Sequence, residues 1–471
     1  MASVMCPCIA LLRKGHVMLL RARAITAILC VMFLPPPAAL LAVDYTWNGT
    51  AADSLWTNAN NWGGFDYPRM ITDNAVFGAS SPRQPVVNTD VSIGALLVNG
   101  SANWTFFSGG TLSVNSGIVY NCSGSSAMSN ALSGAGGITV SSGVLTMGNT
   151  SNNYTGKTIV TSGILKWSYP TNTAVVATGN VVRLGSNTNG GPGVITLDGG
   201  TFDLNPVGYL TLENPFEVTS SNGDIRSDSS ASANYTNTFT GPVTLGGRLT
   251  LGNGAAVARH QGMVSIDQSA AGVCGLYYAN KAVMMEDCIT DGAGPAKNSL
   301  ILRVGSIVNN TFTQPIRNTT AHTYSYGTFL EANEYSSGFG LLDVVSTNGS
   351  LGLGDIWLPE GARMRLNQSS HVANGARVGM WANNAAQSML IVSGNFVPAF
   401  RSDAAGLLAV DWTNYTAVTD MSALGAGEMF LGSYSGGTFA GTVLAPGTNN
   451  TYRLGGGGGT LTFKNGVLTG A

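Results

Sequence analysis

The sequence predicts an all-β protein, a right-handed parallel β-helix in which successive coils of the chain stack on one another. Three observations support this prediction. Short apolar runs alternate with Thr, Ser or Lys at every second position, glycine or Asn-Tyr pairs separate the runs, and no stretch long enough for a helix lies between them. Such alternation indicates strands with one buried face. Because no helix fits between the runs, crossover helices cannot connect these strands.

The clearest pattern lies between Gly136 and Leu165, where four strand-like runs follow one another. This stretch resembles the autotransporter-associated β-strand repeat, in which a Gly-x-Leu-x-Leu strand leads through Asn-x-Tyr-x-Gly-x-Thr to a second Gly-x-Leu. The residues in register are Tyr154, Gly156, Thr158, Gly163 and Leu165, with Asn153 directly before Tyr154. The resemblance implies a secreted, passenger-like bacterial β-solenoid and implies no activity.

Weaker copies of the same strand begin at Gly110, Gly200, Gly247 and Gly459. If the chain coils as the repeat implies, the apolar residues of the full copy line the core. We therefore expect Leu145, Ile159 and Leu165 to point inward.

Length and composition also favour a solenoid. A chain of 471 residues exceeds the size of a single globular core, whereas a solenoid grows in one dimension because each coil buries its face on its neighbours. Charged residues make up only 10% of the chain, and low charge together with abundant Ser, Thr, Asn and Gly is also seen in disordered segments. The 44% of hydrophobic residues, arranged in alternating runs, favours a packed structure instead.

Residues 1–42 are typical of a signal peptide. Arg21 and Arg23 precede an apolar run over 24–34, and small residues lead to a predicted cleavage after Ala42. The alternative is a membrane anchor, but the run is about half the ~20 residues needed to span a bilayer. We therefore expect a secreted, extracellular or outer-surface protein.

The far end of the chain is again repeat-like and shows no alternating strands of an outer-membrane barrel. We expect contact with the outer membrane only through a translocator that this chain does not contain. The chain is then either secreted alone or a fragment of a longer passenger.

The mature chain divides into four predicted regions. Residues 43–82 contain Trp47, Trp56 and Trp62 and predict an aromatic-rich N-terminal cap, with a carbohydrate platform as the alternative. Residues 83–254 and 346–471 are predicted as β-helix repeats. Residues 255–345 alternate less cleanly and predict an irregular segment with projecting loops, where function tends to concentrate.

Charge argues against nucleic acid as a partner. Four of the 22 basic residues, and no acidic residue, lie within 1–42, which leaves 18 basic and 24 acidic residues in the mature chain. A net charge of −6 repels polyanions on average.

Few residues predict chemistry. The closest carboxylate groups, which would serve acid–base catalysis or calcium binding, are also explained by turns and solvated loops: Asp198 with Asp203, Asp224 with Asp228, and Glu286-Asp287 with Asp291. The mature histidines, His260, His322 and His371, are far apart in sequence. No cofactor or metal motif is present, and the run from Gly455 to Gly459 lacks the Lys of a phosphate loop.

The cysteines predict no framework. Cys274 and Cys288 could pair across a 14-residue interval, and Cys122 has no evident partner. Small buried thiols are an equally good interpretation.

These observations predict a non-catalytic, exported structural or adhesive protein whose partners are surface glycans or other cells. Two alternatives use the same scaffold: a polysaccharide lyase or hydrolase, and a glycan-binding module. For the last, the candidate contacts are Trp56, Trp62, Trp357 and Trp381. Exposed coplanar rings would favour glycan binding, and buried rings would oppose it.

Overall fold

In the computed structural model, parallel pairing between strands one coil apart organises the described residues into a β-solenoid of about 14 turns, with essentially no α-helix among them. Residues 44–471 form one compact unit. The structure describes residues 42–469 except 79, 150, 169–179, 187–190, 206–209, 228–235, 253–256, 270–273, 279–282, 287, 295–297, 305–312, 317–320, 332–339, 348, 350, 383–386 and 465.

The strands are short, mostly three to five residues, and belong to two large parallel ladders and one small pair. They are β1 Val43–Thr46, β2 Asp73–Phe77, β3 Val86–Val87, β4 Val91–Gly100, β5 Thr105–Ser108, β6 Leu112–Met128, β7 Leu132–Ser133, β8 Ile138–Met147, β9 Thr158–Val160, β10 Ile164–Ser168, β11 Asn180–Val182, β12 Ile195–Leu197, β13 Thr201–Asn205, β14 Leu210–Leu212, β15 Phe216–Val218, β16 Gly223–Arg226, β17 Thr236–Phe239, β18 Val243–Leu245, β19 Arg248–Leu251, β20 Val257–His260, β21 Val264–Ile266, β22 Cys274–Tyr278, β23 Val283–Met285, β24 Ile289–Asp291, β25 Leu300–Val304, β26 Thr313–Ile316, β27 Thr328–Glu331, β28 Leu341–Val344, β29 Ile356–Leu358, β30 Arg363–Leu366, β31 Val378–Met380, β32 Met389–Val392, β33 Leu407–Val410, β34 Phe430–Gly432, β35 Gly437–Phe439 and β36 Leu461–Phe463. Single 3₁₀ turns occur at Ala59–Trp62, Ser369–His371, Met421–Ala423, Gly425–Gly427 and Thr448–Asn450.

Side chains in equivalent positions of successive coils stack into inner ladders. One ladder runs through buried Ala75, Leu96, Ile118, Ile138, Thr158, Ile195, Phe216, Val243, Val264 and Ile289. A second contains Leu145, Leu165, Phe202, Ile225 and Leu251. A third, in the later coils, contains Leu342, Met364, Leu390, Leu408 and Leu431. Burying each large aliphatic side chain stabilises the fold by about 1.5–3 kcal/mol.

The full sequence repeat forms adjacent coils, as predicted. Leu145 and Leu165 pair across β8 and β10, and both side chains are fully buried. The weaker copies at Gly200 and Gly247 become β13 and β19, whose Phe202 and Leu251 continue the same ladder.

The prediction for Ile159 is wrong. In β9 the inward residues are Thr158 and Val160, and Ile159 lies between them on the partly exposed face. A buried threonine is tolerated because its Oγ1 lies 2.7 Å from the hydroxyl of Tyr154, which is itself buried. Tyr324 and Thr328 make the same hydrogen bond in a later coil. The Tyr and Thr of the repeat therefore form a polar pair inside the core.

The number of turns is lower than equal coils would give. Coils of 20–23 residues predict about 18–20 turns for the mature chain, but the structure has about 14. Some coils are much longer than 23 residues. For example, Thr158 pairs with Ile195 in the next coil. The described parts of 255–345 form strands β20 to β28 and continue both ladders, so pairing shows no break at 255 or 345.

The three tryptophans of 43–82 pack together at the first coils. Trp47 and Trp56 both contact Trp62, with ring centroids 5.0 and 4.7 Å apart, and all three rings pack on Phe77. Each indole N–H donates to a backbone carbonyl, of Arg83, Pro68 and Trp56 respectively. This cluster is a closed aromatic core with its polar atoms satisfied.

Buried polar side chains satisfy backbone groups where the coils turn. Asn152 accepts a hydrogen bond from the Leu132 N–H at 3.0 Å, and Asn214 accepts one from the Leu184 N–H at 2.8 Å. His322 does the same with its Nδ1, which accepts from the Ile289 N–H at 2.9 Å. These side chains replace strand pairing at corners, where buried N–H groups would otherwise be unsatisfied.

Replacing Tyr154 by Phe will leave the Thr158 hydroxyl buried without its partner. We expect the variant Tyr154→Phe to lower the free energy of unfolding by about 1–3 kcal/mol. The double variant with Thr158→Val should recover most of this loss, because both polar groups are then gone. Urea denaturation followed by circular dichroism measures the free energy of unfolding of each variant. If the losses from the two single substitutions simply add in the double variant, the hydrogen-bonded pair is contradicted.

Acid will destabilise the fold through His322. Burial lowers the pKa of His322 to about 4, from an unfolded value near 6.5. The unfolded chain binds the proton at a higher pH than the folded chain does. The contribution of neutral His322 to the free energy of unfolding is therefore fully present above about pH 6.5. It decreases as the pH drops toward 4, by up to about 1.4 kcal/mol per pH unit. Burial also lowers the pKa of His371, an effect opposed by its hydrogen bond to the Ser346 carbonyl and by Asp343.

The matched variant is His322→Asn, because asparagine already serves this corner role at Asn152 and does not titrate. Urea midpoints between pH 7 and 5 should show a flatter pH dependence in this variant than in the unmodified chain. If the urea midpoint depends on pH equally in both proteins, titratable groups other than His322 cause the sensitivity to acid.

Candidate functional site

An outward-facing strip of aromatic side chains crosses the later coils. The register places Ile301 of β25, Phe329 of β27, Trp357 of β29 and Gly379 of β31 in one line. The bridge between Val378 and Phe400 places Arg401 next in this line, beside Gly379. We call Phe329, Trp357, Trp381 and Arg401, with the carboxylates of Asp355 and Asp403, the aromatic strip.

The rings of the strip lie in nearly parallel planes. Phe329 and Trp357 stack with centroids 5.6 Å apart and planes 13° apart, and Trp357 and Trp381 with centroids 5.1 Å and planes 16° apart. The two ends of the stack are open, since Phe329 and Trp381 are each 38% exposed. The strip is therefore an accessible apolar surface along the coils.

A charged cluster borders these rings. The guanidinium carbon of Arg401 lies 4.4 Å from the ring centroid of Trp357, a cation–π contact. Arg401 also bridges two carboxylates, with Nη1 3.2 Å from Asp355 and Nε 3.1 Å from Asp403. The hydrogen bond to Asp403 raises the pKa of Arg401. The carboxylate of Asp403 remains 58% exposed and can accept further hydrogen bonds.

The structure separates the four tryptophans that the sequence offers as glycan contacts. Trp56 and Trp62 are 0% and 5% exposed, so neither presents a ring face to solvent and both leave the candidate set. Their burial follows from the closed cluster on Phe77. Trp357 and Trp381 lie together in the aromatic strip. The sequence did not indicate Phe329 or Arg401, because the 28 residues from Phe329 to Trp357 hide their adjacency.

The carboxylates considered for catalysis are held by separate partners. Asp198 accepts a hydrogen bond from Thr219, which lowers the pKa of Asp198, whereas Asp203 faces Lys166 at 3.5 Å. Asp224 pairs with Arg226 at 2.7 Å, and Asp228 lies outside the described residues.

The third acidic group is likewise engaged. Glu286 pairs with Arg259 at 3.0 Å, and Asp291 accepts from the Ser325 hydroxyl at 2.6 Å. Asp287 lies outside the described residues.

Two carboxylates also meet on Arg365, an arrangement the sequence did not indicate. Its guanidinium lies 3.4 Å from Asp343 and 3.7 Å from Asp411, on the outer face of β28 and β30. Burial raises the pKa of Asp411, but hydrogen bonds from Ser435, Ser433 and the Tyr434 N–H outweigh it and lower the pKa overall. A general acid needs the opposite shift.

The histidines and cysteines serve the core. His322 and His371 bind backbone groups, with Nε2 of His371 2.8 Å from the Ser346 carbonyl oxygen, and His260 is buried in an inner ladder beside Phe239. Cys274 and Cys288 are not bonded to each other. The Cys274 thiol donates to the Leu245 carbonyl at 3.1 Å, and burial raises the pKa of Cys274 to about 11.

The Gly455 to Gly459 run forms a largely exposed bend. Its first four residues all have positive φ, which favours glycine. A Cβ on Gly457 would lie 2.2 Å from the Ser433 carbonyl oxygen.

An apolar groove of 360 Å³ lies beside the strip. It is lined by Val397, Pro398, Ala399, Phe400, Ala417, Val418, Thr419, Asp420, Ala423 and Leu424. Its one carboxylate, Asp420, accepts from the Ser422 N–H and caps the turn at Met421–Ala423. The one carboxylate of the groove therefore has a structural role, and the rest of its lining is mainly apolar.

Within the described residues, no three His, Cys, Asp or Glu side chains gather as a metal site would require. Among those same residues, no helix has the length and apolar character needed to cross a bilayer. No protein-family model, curated protein or solved structure matches this chain.

Substituting Gly379 will disturb the aromatic strip. A Cβ at this position would lie 2.6 Å from Cε3 of Trp357 and 3.1 Å from Cδ of Arg401, so the ring has to move. We expect Gly379→Ala to weaken the near-ultraviolet circular dichroism of the stacked tryptophans and to cost about 1–3 kcal/mol of stability. Gly78→Ala is the control, because a Cβ there meets nothing within 4 Å. Equal spectra for the two variants would contradict the stack.

Proposed function

We propose that this chain is an exported, non-catalytic β-solenoid with a structural and adhesive role at the cell surface, of the autotransporter-associated repeat type. The observation that carries the proposal is the continuous parallel stack of about 14 turns around a largely apolar interior. At ~4.8 Å per turn, such a stack spans roughly 65 Å. A stiff body of this length suits the display of contacts away from an envelope.

The side chains that could do chemistry support a non-catalytic role. The carboxylates near Arg365 and Arg401 are paired with those arginines, and the pKa of Asp411 is lowered rather than raised. Polysaccharide hydrolases need a carboxyl group that is protonated at working pH, next to a free carboxylate. Neither arginine-bridged group resembles this arrangement.

Export rests on the sequence of residues 1–42. If the chain is secreted through its signal, mass spectrometry of the secreted protein should place the first residue at Val43. A retained N-terminus would favour the membrane-anchor alternative.

An adhesion assay tests the function. Microspheres coated with the purified chain should attach to bacterial cells or to polysaccharide-coated surfaces several-fold more than spheres coated with the heat-denatured chain, because many weak contacts act together. Equal attachment would refute the adhesive role. The same polysaccharides, incubated with the chain, should release no reducing ends and no unsaturated uronates; turnover would establish an enzyme instead.

A further inference from the structure

The aromatic strip combines the two kinds of surface that a sugar ring needs. The axial C–H groups of a hexose form an apolar face that packs on an aromatic ring, and its hydroxyls form hydrogen bonds at the rim. Large, partly exposed aromatic side chains are common anchors of binding surfaces. In the strip, one face of Trp381 is taken by Trp357, so its remaining exposure belongs to the opposite face and the edge.

Hydroxyl-binding groups lie beside these rings. Asp403 is 58% exposed, and Asp355 and Arg401 are 28% and 36% exposed. Arg401 is fixed by both carboxylates and by the ring of Trp357, so its unused N–H groups are held in place. A carboxylate acceptor next to a guanidinium donor matches the paired hydroxyls of a sugar, each of which donates and accepts.

The charge of the cluster selects against acidic ligands. Arg401 supplies one positive charge, and Asp355 and Asp403 supply two negative charges. The exposed Arg377 lies nearby, and its backbone N–H donates to Asp355. If its positive charge is included, the cluster still has no net positive charge. The exposed carboxylate of Asp403 would repel a uronate or sialate, whereas it can accept a hydrogen bond from a hydroxyl of a neutral sugar.

We infer that the aromatic strip is a binding site for neutral hexose polymers. A pyranose ring packs on the exposed face of Trp381, and its hydroxyls bind Asp403 and Arg401. Phe329, at the other open end of the stack, supplies a second apolar contact along the coils. This inference deepens the adhesive half of the proposed function and rests on it, since it names the ligand class of that contact.

Affinity electrophoresis of the purified chain tests the site, with hydroxyethyl cellulose as the neutral probe and polygalacturonate as the acidic one. The unmodified chain should be retarded by the neutral polymer and not by the acidic one. Trp381→Ala should raise the dissociation constant about tenfold or more, as expected for an anchor residue. Trp381→Phe should retain most of the binding.

The matched control is Trp412→Ala, because Trp412 is 42% exposed and stands outside the strip. This variant should bind like the unmodified chain. Asp403→Ala should weaken binding several-fold without affecting the stack. Thermal unfolding followed by circular dichroism confirms that each variant folds.

Two results overturn the inference: no retardation of the unmodified chain by the neutral polymer, or equal retardation of Trp381→Ala and Trp412→Ala. If coated microspheres still attach to cells in either case, the adhesive role stands and only the site is wrong. If attachment also fails, both proposals fall. Retardation by polygalacturonate alone would assign the strip to acidic glycans and refute the neutral class.

Discussion

The backbone hydrogen bonds between successive parallel coils are the constraint on which the rest of this structure depends. They hold equivalent residues of neighbouring coils one above the other, so a side chain in one coil packs on its counterpart in the next. Leu145, Leu165 and Phe202 stack because of this register, and so do Phe329 and Trp357 on the outside. One rule of pairing therefore builds both the core and the candidate binding surface.

Pairing cannot extend around corners, and the chain solves that problem with side chains. At Leu132, Leu184 and Ile289 the N–H groups are met by Asn152, Asn214 and His322. The buried Tyr154 and Thr158 pair is a related device, because each hydroxyl satisfies the other. Tyr154 and Thr158 of the repeat thus belong to the interior and hold each other, whereas Asn152 and Asn214 are held by backbone groups of other coils.

The strands and their buried faces were predictable, because period-two alternation follows directly from burial of one strand face. Leu145 and Leu165 satisfy that rule. Ile159 does not, because the rule weighs only apolarity and overlooks that Thr158 has a hydrogen-bond partner four residues earlier. The lower turn count has a similar cause. Insertions such as the one between Thr158 and Ile195 lengthen a coil without changing the local pattern of either strand.

The aromatic strip was only half visible in the sequence, for a reason that explains why such surfaces are hard to predict. Trp357 and Trp381 are notable by composition, yet Phe329 and Arg401 join them only through the register of four coils of unequal length. Gly379 makes the arrangement possible, because the missing side chain leaves room for the Trp357 ring and for the Arg401 stem. In a parallel stack, a glycine on the outer face can thus indicate that an aromatic ring of the neighbouring coil occupies the space of its missing side chain. A surface that only reinforces the coils needs no exposed ring. The strip has exposed rings at both ends of its stack, and the charged cluster of Arg401, Asp355 and Asp403 lies next to them. These two features together suit the strip to binding.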